Sequence, residues 1–454
     1  MFYKICDILY TEVSKMIYSK QHLKKRDLYL DKLIAFKDTE PVKVITGIRR
    51  CGKSSLMRLM IQYLKNNGTA AEQIVEMNFE SMEYRGMDCE GLYEYVKNRV
   101  VDGKTMYLFF DEVQRISQWQ EAINSFRVDF QCDIYITGSN AYLLSSEFST
   151  YLAGRYVEIK MLPLSFSEFI DFNNYTIKNY QSPTGKMRKR IYDRNGESYE
   201  PDELFEAYLK FGGMPGIADV GLVQDKALTL LDGIYSTIVV RDILEREKRR
   251  GQKQITDSDL LKKIIMFLAD NIGNNTSVTS IGNTLVNEGL LDEGIRKSKP
   301  AVKTVQSYVG ALLESYVFYE IKRFDIKGKE YLRTLGKYYI VDIGLRNYLL
   351  GFRNGDTGHI LENIVFFELL RRGYDVAIGK IDKREVDFIA TKTDEKKYIQ
   401  VTESMSSEET RKREFAALEA INDNYEKIIL TRDNTLFNDY NGIKVMNVVE
   451  FLLQ

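Results

Sequence analysis

Residues 42–54 read VKVITGIRRCGKS, and this stretch decides the fold of the first part of the chain. VKVIT is short and mostly apolar, which predicts a buried β-strand. GIRRCGKS, residues 47–54, fits the pattern G-x-x-x-x-G-K-[ST] of a phosphate-binding loop between a strand and a helix. Its glycines let backbone N–H groups surround phosphates, Lys53 supplies positive charge, and the Ser54 hydroxyl suits Mg²⁺. The residues predicted to contact the nucleotide are Gly47, Ile48, Arg49, Arg50, Cys51, Gly52, Lys53, Ser54 and Ser55.

Short β-rich runs alternate with helical stretches on either side of this loop. Most of the runs are apolar on both faces, as strands covered by helices on two sides must be. This pattern predicts an α/β fold with a parallel sheet. The runs are residues 42–46, 74–79, 106–110, 133–137 and 157–160.

Two acidic residues, Asp111 and Glu112, directly follow the buried run YLFF. In phosphate-loop enzymes an acid at the end of a second strand holds Mg²⁺, and a neighbouring group orients the attacking water. We therefore predict that Asp111 contributes to the Mg²⁺ site and that Glu112 polarises water. A nucleotide kinase would not need the second acid, so Glu112 favours hydrolysis. The alternative is a helix N-terminus that carries ordinary acids.

Three further polar residues are candidates for the catalytic site. Ser139 and Asn140 follow the run CDIYITG, and either of them can orient the water, although Gly-Ser-Asn is also an ordinary turn sequence. Arg155 precedes the next strand. It is predicted either to reach the γ-phosphate of its own or a neighbouring subunit as an arginine finger, or to form a structural salt bridge.

Six motifs together resemble a family of prokaryotic AAA-type (AAA_14-like) ATPases, which carry a C-terminal domain of uncharacterised function (DUF4143-like). The motifs are GIRRCGKSSLM at 47–57, YLFFDEVQ at 107–114 with Trp119 after it, ITGSN at 136–140, LAGR at 152–155, LPLSFSEF at 162–169 and GGMPG at 212–216. The resemblance implies ATP as the nucleotide and a central phosphate-loop strand. It also implies that Gly213 and Pro215 contact the adenine side of the nucleotide, and the alternative for GGMPG is a helix-breaking turn.

The helical and strand patterns divide the chain into five parts. Residues 173–201 are a polar insertion within the third part and resemble a surface loop. The predicted parts are an N-terminal helical segment at 1–30, an AAA-type core at 31–165, a helical lid with the GGMPG motif at 166–250, a winged helix at 256–341 and a restriction-endonuclease-like domain at 355–454.

Residues 256–341 show three helical patterns followed by a strand pair, which is typical of a winged helix. In the third helix Val302, Val305, Val309 and Leu312 are expected to face the core, which leaves the polar residues Lys303, Gln306 and Ser307 outward. Residues 296–337 contain ten basic and four acidic residues, a local charge of +6. Such a segment either binds DNA phosphates or serves as an intramolecular lever.

The last hundred residues resemble a restriction-endonuclease-like fold, whose motif is an acid followed by (D/E)-x-K. Glu362 lies on the apolar face of a predicted helix and should point inward. Asp387 and Gln400-x-Thr402 occupy the motif positions, so the second acid is an amide and the lysine is absent. Loss of these groups weakens metal binding and water activation.

The changed motif leaves three functions open for this domain. We predict weak Mg²⁺ binding by Glu362 and Asp387 and no cleavage of DNA. Lys380 and Lys397 are candidates to replace the missing lysine. A degenerate domain that binds nucleic acid or protein, cleavage activity and a purely structural role are the alternatives.

Composition excludes several other classes of protein. The 64 basic and 65 acidic residues give a net charge of −1, so nucleic acid can bind only through a local patch. Two histidines and four dispersed cysteines offer no zinc or iron–sulfur ligand set. Without a signal-peptide core or a long apolar run, the chain is predicted to be cytoplasmic and not bound to a membrane.

These observations predict a Mg²⁺-dependent ATPase whose conformational change reaches the winged helix and the nuclease-like domain. Its predicted partners are ATP, DNA through the winged helix, and a second copy or another protein. The alternatives are a nucleotide-gated binding module with little turnover and an ATP-controlled DNA nuclease.

Overall fold

The computed structural model describes residues 23–139, 154–181, 185, 187–238, 243–244, 257–287, 302–433 and 439–454. These residues form two compact units. Among the described residues, one unit contains 23–45, 52–138 and 154–159, and the other contains 46–51, 139 and those from 160 onward. None of the helices in these ranges is long and apolar enough to cross a membrane.

The first unit contains the predicted parallel sheet. Its five strands lie in the order β2-β3-β4-β1-β5, so the phosphate-loop strand β1 is internal and β4 is in the middle. Every residue of β1 and β3 is buried, because helices cover both faces of the sheet. The elements, with β5 ending at the unit boundary, are α1 (Asp27–Ala35), β1 (Val42–Thr46), α2 (Lys53–Asn66), β2 (Ile74–Asn78), α3 (Cys89–Lys97), β3 (Met106–Asp111), α4 (Trp119–Asp129), β4 (Cys132–Gly138) and β5 (Tyr156–Lys160).

The second unit begins with helices and a small sheet. The elements are α5 (Phe166–Phe172), β6 (Thr176–Gln181), β7 (Met187–Tyr192), β8 (Ser198–Tyr199), α6 (Pro201–Phe211), α7 (Gly216–Val220) and α8 (Gln224–Thr237). The prediction of a surface loop at 173–201 is wrong, since β6, β7 and β8 form an antiparallel sheet. Polar residues dominate these strands because one face of a small antiparallel sheet can remain exposed to water.

The region predicted as a winged helix has the expected order of elements, α9 (Ser258–Asp270), β9 (Asn275–Thr276), α10 (Val278–Asn287), α11 (Val302–Glu314), β10 (Phe318–Asp325) and β11 (Glu330–Ile340). The hairpin is not a separate wing, however, because β10 also pairs in parallel with a strand further along the chain through residues 323–325. In α11, Val305, Val309 and Leu312 are buried as expected, whereas Val302 is 40% exposed, which contradicts the prediction for that residue.

The remaining elements complete one large sheet. They are α12 (Ile343–Leu350), α13 (Thr357–Arg371), β12 (Asp375–Ile381), β13 (Arg384–Lys392), β14 (Glu395–Thr402), α14 (Glu408–Glu419), β15 (Glu426–Thr431), β16 (Asp439–Tyr440), β17 (Ile443–Asn447) and α15 (Val448–Leu452). The strand order is β16-β17-β15-β14-β13-β12-β10-β11-β9. The ranges predicted as a winged helix and as a nuclease-like domain therefore share a sheet, and an apolar core of residues such as Val386, Tyr398 and Leu418 lies against it.

Candidate nucleotide site and buried carboxylate cluster

The phosphate loop has the backbone that its glycines predict. Gly47 and Gly52 have φ values of 138° and 104°, which favour glycine, and Arg50 adopts the left-handed conformation at 63°. Gly47 has a second reason to be glycine, since a Cβ atom there would overlap the carbonyl oxygen of Met161. The loop therefore depends on close backbone packing as well as on access for phosphates.

Helix α2 presents a favourable N-terminus for an anion. Gly52 is its N-cap and has no side chain with which to cap the helix, and no acidic residue lies in the first turn. Lys53 is the first helical residue and is buried. The N-terminal N–H groups and the helix dipole thus fit phosphate oxygens, in agreement with the sequence pattern.

Asp111 is held in place at the end of β3 by its neighbours on both sides. Asn78, at the end of β2, donates from Nδ2 to Asp111 Oδ2 at 3.1 Å, and the Thr137 hydroxyl at the end of β4 donates to Asp111 Oδ1. Thr137 Oγ1 also accepts the Glu112 N–H at 3.0 Å. The ends of three adjacent strands therefore orient one carboxylate.

Sequence reasoning missed the roles of Asn78 and Thr137. Both occupy the last polar positions of predicted strands, and that is the signal that could have identified them. Ser139 is buried, and its proposed role in orienting water stays a prediction. Asn140 lies outside the described residues.

Glu112 is partly buried and has a left-handed backbone with φ 55°. A hydrogen bond holds its side chain, since Gln114 Nε2 donates to Glu112 Oε2 at 2.6 Å. A carboxylate that is held in this way directly after the end of β3 is suitable as a general base. After Asn78 and Thr137, Gln114 is a third residue whose contribution the sequence analysis did not identify.

Arg155 lies at the end of the sheet opposite to the phosphate loop. The Val42 N–H, at the start of β1, donates to the Arg155 carbonyl oxygen at 3.0 Å. The exposed side chain places Nε 3.7 Å from Glu40 Oε1. The loop begins after Thr46, about 13 Å away at the rise of a strand. The contact with Glu40 supports the salt-bridge alternative, and a finger role in its own or a neighbouring subunit stays a prediction.

The GGMPG motif makes contacts with a distant part of the second unit. The Gly213 N–H donates to Asp342 Oδ2 at 2.6 Å, and its carbonyl oxygen accepts the Leu164 N–H at 2.7 Å. A Cβ atom on Gly213 would overlap the Leu164 carbonyl oxygen. These contacts support the turn alternative, and nucleotide contact by Gly213 and Pro215 stays a prediction.

Asp342 caps helix α12 and is buried beside this motif. It accepts the Leu345 N–H at 3.0 Å in addition to that of Gly213. Burial raises the pKa of Asp342 to about 6 even though these backbone donors favour its charged form. Asp342 therefore joins the GGMPG turn to the start of α12 through backbone hydrogen bonds.

A buried carboxylate cluster surrounds Lys337 on β11. Lys337 is 4% exposed, and its Nζ lies 2.7 Å from Glu362 Oε1, 2.9 Å from Glu385 Oε1 and 4.0 Å from Asp387 Oδ1. The Tyr339 hydroxyl also donates to Glu362 Oε1. Although β12 and β10 lie between β13 and β11 in the sheet, their side chains meet. The inward position predicted for Glu362 agrees with the structure, but the lysine beside it is neither Lys380 nor Lys397.

The charges in this cluster determine its protonation. Burial alone would lower the pKa of Lys337, but the carboxylates around it, Glu362 first, hold that pKa above its usual range. Burial would raise the pKa of Glu362, and the Lys337 ammonium keeps it below its ordinary value. Burial, followed by the charge of Glu362, raises the pKa of Asp387 well above its ordinary value. Burial and the charge of Glu362 thus oppose the charged form of Asp387, which is the form that binds a metal ion.

Gln400 uses both ends of its amide in this region. Its Oε1 accepts the Asp387 N–H at 2.9 Å, and its Nε2 donates to Glu414 Oε2 at 2.8 Å. Asp387 Oδ2 in turn accepts the Val401 N–H at 2.8 Å. A carboxylate at position 400 could not donate to Glu414. The amide at the motif position therefore fits a donor and an acceptor at once, which an ionised carboxylate could not do.

Within the described ranges, no group of three or more histidine, cysteine, aspartate or glutamate side chains is arranged to hold a metal ion. The ammonium group of Lys337 lies between the carboxylates that a cation would need. Weak Mg²⁺ binding by Glu362 and Asp387 stays a prediction, and Lys337 would compete with the ion.

Comparisons with known proteins agree with the first half of the sequence interpretation. Residues 39–170 match the AAA domain family, and residues 202–356 match a domain of unknown function (DUF8612). The predicted AAA-type P-loop region is therefore confirmed, whereas the predicted DUF4143-like domain is not.

Two relatives cover most of the chain. An uncharacterized protein of Haemophilus influenzae is 40% identical over 433 residues, which are 94% of this chain and 98% of that protein. The uncharacterized protein MJ1544 of Methanocaldococcus jannaschii is 30% identical over 385 residues, 83% of this chain and 78% of that protein. The solved Walker-type ATPase paby2304 of Pyrococcus abyssi is 16% identical, with a TM-score of 0.47, over 72% of this chain and 95% of that one.

Proposed function

This chain belongs to a family of proteins with an AAA-type P-loop domain, and from that premise we propose that it is a Mg²⁺-dependent ATPase. The observation that carries the proposal is the fixed carboxylate of Asp111. Asn78 and Thr137 orient it at the same end of the sheet at which the phosphate loop leaves β1. Side chains from both neighbouring strands, β2 and β4, hold this carboxylate, whereas an acid on the surface is ordinarily not fixed in this way.

The residues divide the chemistry between binding and water activation. Loop N–H groups and Lys53 neutralise the phosphates, and Ser54 and Asp111 would hold the Mg²⁺ ion, which lowers the charge on the phosphoryl group when bound. Glu112 accepts a proton from the attacking water, and Gln114 holds its carboxylate. The catalytic step therefore needs Glu112, whereas tight binding needs Lys53.

Two substitutions test this division. Lys53→Ala should abolish tight binding of a fluorescent ATP analogue. Glu112→Gln should keep binding and lower phosphate release by roughly 10²-fold or more, because general-base catalysis contributes that much. Glu121→Gln, on the exposed first turn of α4, is the matched control and should behave as wild type. A wild-type rate for Glu112→Gln would refute the assignment.

The same two measurements separate the ATPase from a nucleotide-gated binding module. An ATPase binds and turns over ATP repeatedly, whereas the module binds tightly and releases phosphate at most once per chain. For a conformational switch, limited proteolysis of the wild type should differ between ATP and ADP.

We also propose that helix α11 contacts DNA. Lys303 and Gln306 on this helix are exposed, as the winged-helix prediction requires. The basic segment is weaker than its sequence indicates, because Lys337 is buried among carboxylates and Lys327 is paired with Asp382 at 2.7 Å. Replacing Lys303 by Glu should weaken duplex binding and reduce its salt slope by roughly one unit.

For the C-terminal domain we propose binding or structural use rather than cleavage. Gln400 is committed to its two hydrogen bonds, and Lys337 supplies the positive charge among the acids. The purified protein should not cut plasmid or single-stranded DNA with Mg²⁺ or Mn²⁺. Cleavage that disappears in Asp387→Ala would instead establish a nuclease, and a change in its rate on addition of ATP would identify it as ATP-controlled.

A further inference from the structure

The β6–β7 hairpin has two faces of different character. Cross-strand partners in an antiparallel pair lie on the same face of a sheet. The registered pairs Ile177–Ile191 and Asn179–Lys189 alternate with Lys178–Arg190 and Tyr180–Arg188. One set of pairs therefore faces inward and the other faces outward.

The inner face is the one with the isoleucines. Ile191 is fully buried, and Ile177 is partly buried. On the same face the Lys189 ammonium donates to the Leu453 carbonyl oxygen near helix α15. These contacts attach the hairpin to the rest of the second unit. The outer face of the hairpin therefore has a fixed orientation.

The outer face combines positive charge with aromatic rings. Lys178 Nζ lies 5.0 Å from the centre of the Tyr192 ring, and the Arg190 guanidinium lies 4.9 Å from that of Tyr180. Arg190 is neutralised in part by Glu200. Lys178 and Arg188 are exposed, and neither is paired with a carboxylate among the described residues.

A cavity of about 410 Å³ lies at the edge of the hairpin, where the inner-face residues Asn179 and Lys189 approach the region of α15. Tyr180 and Arg188 contribute to its wall together with three acidic residues, Glu200, Asp202 and Glu450. Its volume is within the range of small-molecule sites. The negative charge of these carboxylates opposes a nucleic acid strand inside the cavity, which leaves the outer face of the hairpin as the surface that suits a polyanion.

We propose that the outer face of the β6–β7 hairpin binds single-stranded nucleic acid. Lys178 and Arg188 contact phosphates, and bases stack on Tyr180 and Tyr192. Aromatic residues alternating with cations on a sheet suit unpaired bases, because the faces of bases in a duplex are covered by stacking. This surface is separate from helix α11 and does not depend on ATP hydrolysis.

The test measures fluorescence anisotropy of labelled 20-nucleotide single strands, of DNA and of RNA, with the full-length protein over a range of KCl concentrations. The matched duplex and polyglutamate serve as competitors. Binding should be stronger for single strands than for the duplex. Lys178→Glu with Arg188→Glu should weaken it at least tenfold and reduce the salt slope by roughly 1.4, about 0.7 for each phosphate contact.

Two variants separate stacking from charge. Tyr180→Ala should weaken binding roughly 5- to 150-fold, whereas Tyr180→Phe keeps the ring and should bind as wild type. Lys412→Glu, on the exposed surface of α14, is the control for a charge reversal elsewhere in the unit and should have no effect. Circular dichroism and ATPase rates without nucleic acid should be unchanged in all variants.

Several outcomes would overturn the proposal. A preference for duplex, equal displacement by polyglutamate, or affinity that is insensitive to the hairpin variants would each do so. If Lys303→Glu removed all binding while the hairpin variants retained it, α11 would be the surface responsible. Loss of ATPase activity alone would count against the proposed function and not against this one.

Discussion

Replacement of Lys337 by methionine should strongly destabilise the second unit. Methionine nearly preserves the volume of the side chain but removes the ammonium group that Glu362 and Glu385 contact at 2.7 and 2.9 Å. Both Lys337 and Glu362 are buried, so little water can replace the lost charge. The variant would then carry uncompensated carboxylates in a buried position.

Breaking a buried ion pair by removing one partner costs about 3–5 kcal/mol. For a unit of this size the loss corresponds to a fall in Tm of roughly 6–10 °C, at about 2 °C per kcal/mol.

Lys327→Met is the matched control. Lys327 lies in the same hairpin and is also 2.7 Å from a carboxylate, that of Asp382, but both partners are more than half exposed. Its loss should cost less than about 1 kcal/mol.

The difference in stability between wild type and Lys337→Met should depend on pH in a definite direction. The pKa of Glu362 is lowered in the folded state, so its contribution is present above its ordinary pKa of about 4.3 and is lost as the pH falls through the folded value. The pKa of Lys337 is raised, so its contribution is present below about 10.4 and is lost as the pH rises through the folded value. Wild type and Lys337→Met should therefore differ most between about pH 5 and 10.

Thermal denaturation of both variants from pH 3 to 9 is the assay. If Lys337→Met lost no more stability than Lys327→Met at pH 7, the reasoning about burial would be refuted. The position that the Lys337 ammonium group leaves empty in the variant gives a second measurement. Mn²⁺ should raise the Tm of Lys337→Met more than that of wild type, since Glu362 and Glu385 no longer hold an internal cation.

Three further predictions concern single residues. Thr137→Val removes the hydroxyl that orients Asp111, so kcat should fall by about 10²-fold with nucleotide affinity nearly unchanged, as measured by phosphate release and analogue binding. If Arg155 acts in a neighbouring subunit, Arg155→Ala should lower turnover by about 10³-fold or more, and wild-type specific activity should rise with protein concentration, whereas strict proportionality would count against it. Gln400→Glu places a second carboxylate against Glu414 and should lower the Tm without creating nuclease activity, so an unchanged Tm would contradict the assigned hydrogen bonds.

Local sequence patterns were sufficient to predict the phosphate loop and the strands of its sheet. The strand before residue 47, the glycines and the acids after residue 110 are all defined by neighbours in the chain, and the predicted strands agree with the observed ones to within about one residue. Sterics and apolar periodicity act over a few residues, so one sequence reveals them. The inward position of Glu362 was predictable for the same reason, from the apolar face of α13.

Tertiary structure alone decided which charges meet. Lys337 was counted in a basic segment, but the path of the chain places it among acids 25, 48 and 50 residues away, at Glu362, Glu385 and Asp387. Strand order likewise brought Thr137 to Asp111 and left Arg155 at the opposite end of β1. The pairing of distant strands depends on contacts that a single sequence does not contain, because the free energy of a buried charge depends on what the fold places beside it.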